Sequence, residues 1–116
     1  MHELSICQSL LSQVNNIARQ HHAIQVDTIH LRVGPLSGVV PELLQTAFTV
    51  AKTDSLVKNA VLLIQSSPIQ VRCRRCHVAT EASINRLVCG VCGDWHTTLL
   101  SGDELQLERI EMEIPS

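Results

Sequence analysis

A chain of 116 residues, 45% hydrophobic and 17% charged, makes one small packed domain, or one domain carrying a module with little core of its own. Its net charge of -2 and its two aromatic side chains, Phe48 and Trp95, argue against nucleic acid as a partner, because such binders draw on a basic field and on rings that stack with bases. No run of about 18 apolar residues occurs and the start carries no basic leader, so membrane spanning and secretion are disfavoured and the expected compartment is the cytoplasm.

In chain order, Cys7, Leu10, Leu11, Val14, Ile17 and Ala18 step by three and four, which predicts an amphipathic helix over residues 4–20. Cys7 falls on the apolar stripe and reads as a small core residue. His21 and His22 stand where this helix ends, and imidazoles there suit a cap or turn. TIHLRV then alternates Ile29, Leu31 and Val33 against Thr28, His30 and Arg32, as a strand with one buried face does. His30 belongs to the polar face, with no role assigned.

GPLSGVVPELL is a turn followed by a second helix with Pro41 and Glu42 in its first turn and Leu43, Leu44, Ala47, Phe48 and Ala51 on its apolar face. NAVLLIQ is a second strand. Strand, helix, strand in this order predicts a right-handed crossover and a parallel pair. The closing segment ELQLERIEMEIPS alternates in two phases, with Leu105 and Leu107 in one and Ile110, Met112 and Ile114 in the other. A phase slip near Glu108, most simply a β-bulge, is required.

Between these strands lies CRRCHVATEASINRLVCGVCGD. Of the five cysteines, Cys73 and Cys76 form one C-x-x-C pair and Cys89 and Cys92 another. Two such turns facing each other offer four thiolates to one tetrahedral ion, the closed arrangement of structural zinc. Two redox dithiols are the alternative. Four sulfurs leave no open position for water or substrate, so the zinc holds a loop together. Gly90 and Gly93 are expected to admit positive φ around the second pair. Arg72, Arg74, Arg75 and Arg86 either offset the thiolate charge, the preferred reading, or face a phosphate. His77 and His96 lie near the pairs and read as exposed by default.

An opening MHE, a helix running into a strand with V-G at residue 34, two C-x-x-C pairs and a strand ending I-E-M-E together resemble the HypA/HybF nickel-incorporation proteins over essentially the whole chain. The resemblance implies a metallochaperone that delivers Ni(II) to [NiFe]-hydrogenase, or to urease in some organisms. Its implied partners are a HypB-type GTPase, the hydrogenase large subunit and, in the urease case, urease accessory proteins, with room for a homodimer. The implied fold is α+β: a small mixed β-sheet packed with two helices, plus a zinc-ribbon-like insertion. On that basis residues 1–70 with 103–116 form the nickel-binding domain and 71–102 the zinc-binding domain. Family members place an acidic ligand just beyond the first strand, where this chain has Val40; Glu42 is the nearest carboxylate.

The chemistry of Met1, His2 and Glu3 fits this role independently. The terminal amine, the main-chain nitrogens of His2 and Glu3 and the His2 ring nitrogen close small fused chelate rings, and four nitrogens in a plane suit Ni(II) or Cu(II). The first amides of a helix are unpaired and available. Glu3 adds a carboxylate or favours the helix start.

Other classes fare worse. MHELSI fails as the start of H-E-x-x-H because residue 6 is Ile6, and no hydrolase motif is present, so the chain is not expected to be an enzyme. A zinc ribbon that binds nucleic acid is supported by the arginines and opposed by the acidic total and missing aromatics. A purely structural adaptor is the third reading.

Overall fold

A computed structural model describes residues 3–52 and 56–115. The elements are α1 (Glu3–Gln20), β1 (Gln25–Val33), α2 (Pro41–Ala51), β2 (Val61–Ser66), β3 (Gln70–Cys73), β4 (Ala79–Glu81), β5 (Thr97–Ser101) and β6 (Leu105–Glu113). They form two three-stranded sheets, ordered β2-β1-β6 and β4-β3-β5. The chain divides into two compact units, one of Met1–Leu31, Val39–Gln65 and Gln106–Ser116, the other of Arg32–Gly38 and Ser66–Leu105.

In the first unit α1 buries Cys7, Leu10, Leu11, Val14 and Ala18, as its stripe requires; Ile17 is half-buried. The Cys7 thiol donates to the Leu44 carbonyl at 3.4 Å, and the Val40 amide donates to the Glu3 carboxylate. Successive contacts therefore advance together along α1 and α2, so the two helices run parallel with their N-termini at the same end. Burial of the Cys7 thiol pushes its pKa up, which keeps it a neutral core group.

Helix α1 ends in a Schellman arrangement. Ala23 N–H donates to the Ala18 carbonyl at 2.9 Å and His22 N–H to Arg19 at 3.1 Å, with His22 at φ 57°. The expected cap is present, but with histidine in the left-handed position that glycine normally fills. Helix α2 has Val40 as N-cap without a side-chain bond and Pro in its first turn. Leu44 and Phe48 are buried, Ala47 and Ala51 are half-buried, and Leu43 is exposed, so Leu43 does not belong to the inner face predicted for it.

Val26 N–H donates to the Leu56 carbonyl, and Ser67 N–H to the Val33 carbonyl. Pairing that advances with both chains makes β1 and β2 parallel, as the crossover predicts. Ile24 bonds to Glu113 and Gly34 to Glu104, so β6 runs antiparallel on the other side. The half-buried positions of β6 are Leu107, Ile110 and Met112, which puts the change of phase at residues 108 and 109. Strand β2 is an edge, and its Val61 and Leu63 are exposed. Gln45 Nε2 donates to the Leu62 carbonyl and Lys52 Nζ to the Ala60 carbonyl. Side chains from α2 thus cap edge carbonyls that would otherwise recruit a foreign strand.

His30 is not the idle polar residue its alternation suggests. Its Nε2 contacts Glu111 at 2.6 Å, and Arg109 donates to the same carboxylate at 3.0 Å. The imidazole and then the guanidinium hold the Glu111 carboxyl below the usual carboxylate range, tying β1 to β6.

In the second unit β3 pairs antiparallel with both β4 and β5. These strands have three to five residues each, too short for a legible alternation. Gly34 meets Gly102 here: a Cβ on Gly34 would overlap the Gly102 carbonyl and the Asp103 amide. Two outcomes follow. Gly34→Ala is expected to cost about 3 kcal/mol through overpacking of backbone that cannot retreat. His22→Gly is expected to gain about 1 kcal/mol by relieving the left-handed strain; urea unfolding measures both.

Candidate metal centre

The second unit places its four paired cysteines around one point. The sulfurs of Cys73, Cys76, Cys89 and Cys92 all lie within 4.8 Å of one another. Cys73 Sγ is 3.6 Å from Cys92 Sγ, and Cys76 Sγ is 3.6 Å from Cys89 Sγ. Both contacts cross from one C-x-x-C turn to the other, so the pairs share a centre rather than forming two dithiols. Four thiolates around a tetrahedral zinc with bonds of about 2.3 Å would sit about 3.8 Å apart, close to what is observed. A disulfide needs about 2.05 Å, and all five cysteines are free.

Backbone amides arrange the sulfurs. Cys73 Sγ accepts from the N–H groups of Arg75 and Cys76, each at 3.3 Å. Cys89 Sγ accepts from Val91 and Cys92, each at 3.4 Å. Each turn therefore aims two amide dipoles at its first cysteine, favouring the thiolate. The Cys92 and Val91 amides bring Cys89 down to about 6, and the Cys76 amide lowers Cys73. Cys73 and Cys89 are buried while Cys92 is exposed, so the centre lies at the surface of the unit.

The glycine expectation holds for one residue of two. Gly93 is at φ 77°, whereas Gly90 is not left-handed. Gly90 is needed for proximity: its N–H donates to Thr80 Oγ1 at 2.8 Å, and a Cβ there would come within 3.2 Å of the Thr80 side chain. The Arg72 and Arg74 side chains make their hydrogen bonds to oxygen. Arg72 donates to the His77 carbonyl and Arg74 to Thr98 Oγ1, while Arg75 lies 3.8 Å from Asp94. His77 is at φ 64° and returns its N–H to the Cys73 carbonyl at 3.0 Å, so it closes the first turn.

His96 has more partners than its sequence context suggests. Its N–H and its Nδ1 both meet Asp94 Oδ1, at 2.8 and 2.7 Å, and its ring stacks on Trp95 at 3.7 Å. These bonds, the amide first, hold the Asp94 carboxyl below its ordinary range. An Asp two residues before a bonded N–H is an Asx turn, the one sequence signal for this group in D-W-H.

Glu3 is buried at the start of α1, with the Val40 amide on its carboxylate. Met1 and His2, the other residues expected at nickel, lie outside the described residues. Where an acidic side chain was sought, Val40 thus supplies a backbone donor, and Glu42 is exposed in the first turn of α2.

A family model described as hydrogenase/urease nickel incorporation, metallochaperone, HypA, matches residues 1–112. The chain belongs to the HypA family. Relatives named hydrogenase maturation factor HypA include that of Nitrosospira multiformis, 41% identical over 112 residues and 97% of each chain. Those of Shewanella baltica strain OS185 and Aquifex aeolicus are 38% and 33% identical, covering 97% and 98% of this chain and 97% and 99% of theirs. Among solved structures, the solution structure of the Ni metallochaperone HypA from Helicobacter pylori matches with a TM-score of 0.69 at 26% identity, covering 99% of this chain and 100% of that one. HypA membership bears out the resemblance drawn from MHE, the paired cysteines and I-E-M-E, and with it the α+β fold. It does not favour the nucleic-acid or adaptor readings. No helix among the described residues is long and apolar enough to cross a membrane.

Cobalt(II) offers a direct check on the HypA cysteine cluster. One equivalent is expected to give thiolate charge-transfer and tetrahedral d–d bands, lost in Cys89→Ser. Lowering the pH is expected to release the metal, because each thiolate must take a proton as the metal leaves. Cys89, whose metal-free pKa is depressed to about 6, should protonate late in that titration.

Proposed function

We propose that this chain carries Ni(II) at Met1, His2 and Glu3 and hands it to a [NiFe]-hydrogenase large subunit during maturation, with urease as the other candidate client. The family match over residues 1–112 is the observation that carries this reading. The terminal amine, the His2 imidazole and the main-chain nitrogens of His2 and Glu3 would surround the ion in a plane. Glu3 would contribute through its backbone nitrogen, since its carboxylate already accepts the Val40 amide. Ligands at a chain terminus exchange readily, which suits a carrier better than a resident cofactor. The role is non-enzymatic and cytoplasmic, and a HypB-type GTPase is the proposed helper in transfer; a homodimer is compatible with it.

In the same proposal Zn(II) is the resident metal, held by Cys73, Cys76, Cys89 and Cys92 as a scaffold. The sulfur spacing and the amide bonds to Cys73 and Cys89 support this. The unit holding both helices would be the nickel-binding part and the unit holding the cysteines the zinc-binding part.

Nickel titration monitored by calorimetry tests the proposal. His2→Ala, or one extra residue placed before Met1, is expected to weaken Ni(II) binding at least about 100-fold while leaving zinc content unchanged; equal affinity in both variants would discard the planar nitrogen site. Protons compete for the amine and the imidazole, whose ordinary pKa values are about 8 and about 6.5. Bound nickel should therefore fall as pH drops through that window.

A further inference from the structure

The four clustered sulfurs differ in how far each is open to solvent, a difference that holding a metal does not require. Cys73 and Cys89 are buried, Cys76 is half-buried and Cys92 is exposed. Hydrogen bonds follow the same division. Cys73 Sγ accepts the amides of Arg75 and Cys76, and Cys89 Sγ those of Val91 and Cys92, which draw charge from the two buried sulfurs. A thiolate reacts according to its charge and its access, so an oxidant arriving from solvent meets Cys92 first.

Sulfur contacts decide what happens next. Cys92 Sγ lies 3.6 Å from the buried Cys73 Sγ, and Cys76 Sγ lies 3.6 Å from the buried Cys89 Sγ. Each more accessible cysteine thus faces a shielded one in the opposite turn, and closing such a pair to a disulfide takes a movement of about 1.5 Å. A crossed bond ties the two C-x-x-C turns together, as a shared metal does. A bond inside one turn would enclose only the two residues between its cysteines and leave the turns unconnected. Cys7 takes no part, being fully buried in the first unit with its thiol on the Leu44 carbonyl.

We propose that the cysteine centre is also a reversible redox site: hydrogen peroxide oxidises Cys92, Cys73 closes a disulfide onto it, and Cys76 pairs with Cys89. This rests on the reading of the four cysteines as a zinc site. Zinc, when bound, keeps all four sulfurs deprotonated. The Cys92 sulfur attacks one peroxide oxygen; an S–O bond forms, the O–O bond breaks and hydroxide leaves. The Cys73 sulfur then attacks the Cys92 sulfur; an S–S bond forms, the S–O bond breaks and a second hydroxide leaves. Two thiolates have given up two electrons, and one peroxide has become two hydroxides, which take protons from solvent. A second peroxide does the same for Cys76 and Cys89. With both pairs joined no thiolate remains to hold a dication, and the metal is released. A disulfide with one exposed sulfur is open to attack by a small thiol, which restores the reduced pair. Disulfides formed in reducing compartments are typically of this transient kind.

The test uses the zinc-loaded chain, with zinc content measured before any oxidant is added. Hydrogen peroxide is then added in steps until thiol loss stops. Released zinc is read with a chromophoric chelator, and disulfides are mapped by mass spectrometry of unreduced peptides. Loss of the bound zinc together with four of the five thiols is expected, with bonds Cys73–Cys92 and Cys76–Cys89 and with Cys7 still reduced. Dimedone present during the first additions should label Cys92 ahead of the other cysteines. Excess reduced glutathione should return the four thiols and the zinc affinity. Bonds within the C-x-x-C turns or between chains, sulfinic or sulfonic acids in place of disulfides, first labelling at another cysteine, zinc retained with its four thiols, or no recovery with glutathione each overturn the proposal. A chain that holds no zinc before peroxide is added fails the metal reading itself, and this inference with it.

Discussion

The crowding of four cysteine sulfurs around one point is the constraint on which the second unit turns. Cys73, Cys76, Cys89 and Cys92 bring their sulfurs within 4.8 Å of one another, an arrangement that concentrates negative charge unless something offsets it. Two devices in the chain do so. Amide N–H groups after each first cysteine point at its sulfur, and the geometry leaves space for a dication at the centre. The strands of this unit are short, and its buried apolar residues are few: Val33, Ile69, Val71, Cys73 and Cys89. A sheet of that size does not hold together on apolar burial alone. Metal coordination is the natural source of the missing stability.

The first unit works in the opposite way. Its stability comes from ordinary packing, with Cys7, Val14, Ile29, Leu44, Phe48 and Val57 fully buried, each worth about 1.5–3 kcal/mol for a large side chain removed from water. Two parallel helices place both N-termini at one end, where peptide dipoles favour negative groups. Glu3 sits there with the Val40 amide on its carboxylate.

Where residues act through their neighbours in sequence, they were legible. The 3.6-residue stripe of α1, the two C-x-x-C pairs and the phase change in the last strand all appear in the structure, because each depends on spacing along the chain. Residues that act through a partner far away were not. His30 alternated as an exposed strand residue, yet it meets Glu111 across the sheet. Gly90 looked like a turn glycine, yet Thr80 is the reason for it. Leu43 fell on the helical stripe but faces water, because α2 is short and Leu44 and Phe48 fill the inner face.

What the sequence determined by itself is the chemistry: four thiolates in two close pairs, a histidine next to the chain start, an amphipathic first helix and a crossover that makes β1 and β2 parallel. These follow from covalent spacing and from the burial of apolar side chains at regular intervals. Tertiary structure alone decided that Cys73 faces Cys92 and Cys76 faces Cys89, that Val40 offers a backbone donor where a carboxylate was sought, and that Trp95 stands braced on His96 in solvent. Each of those depends on backbone groups brought together across loops, and hydrogen-bond direction and steric fit at such meetings are properties of the folded chain rather than of any local run of residues.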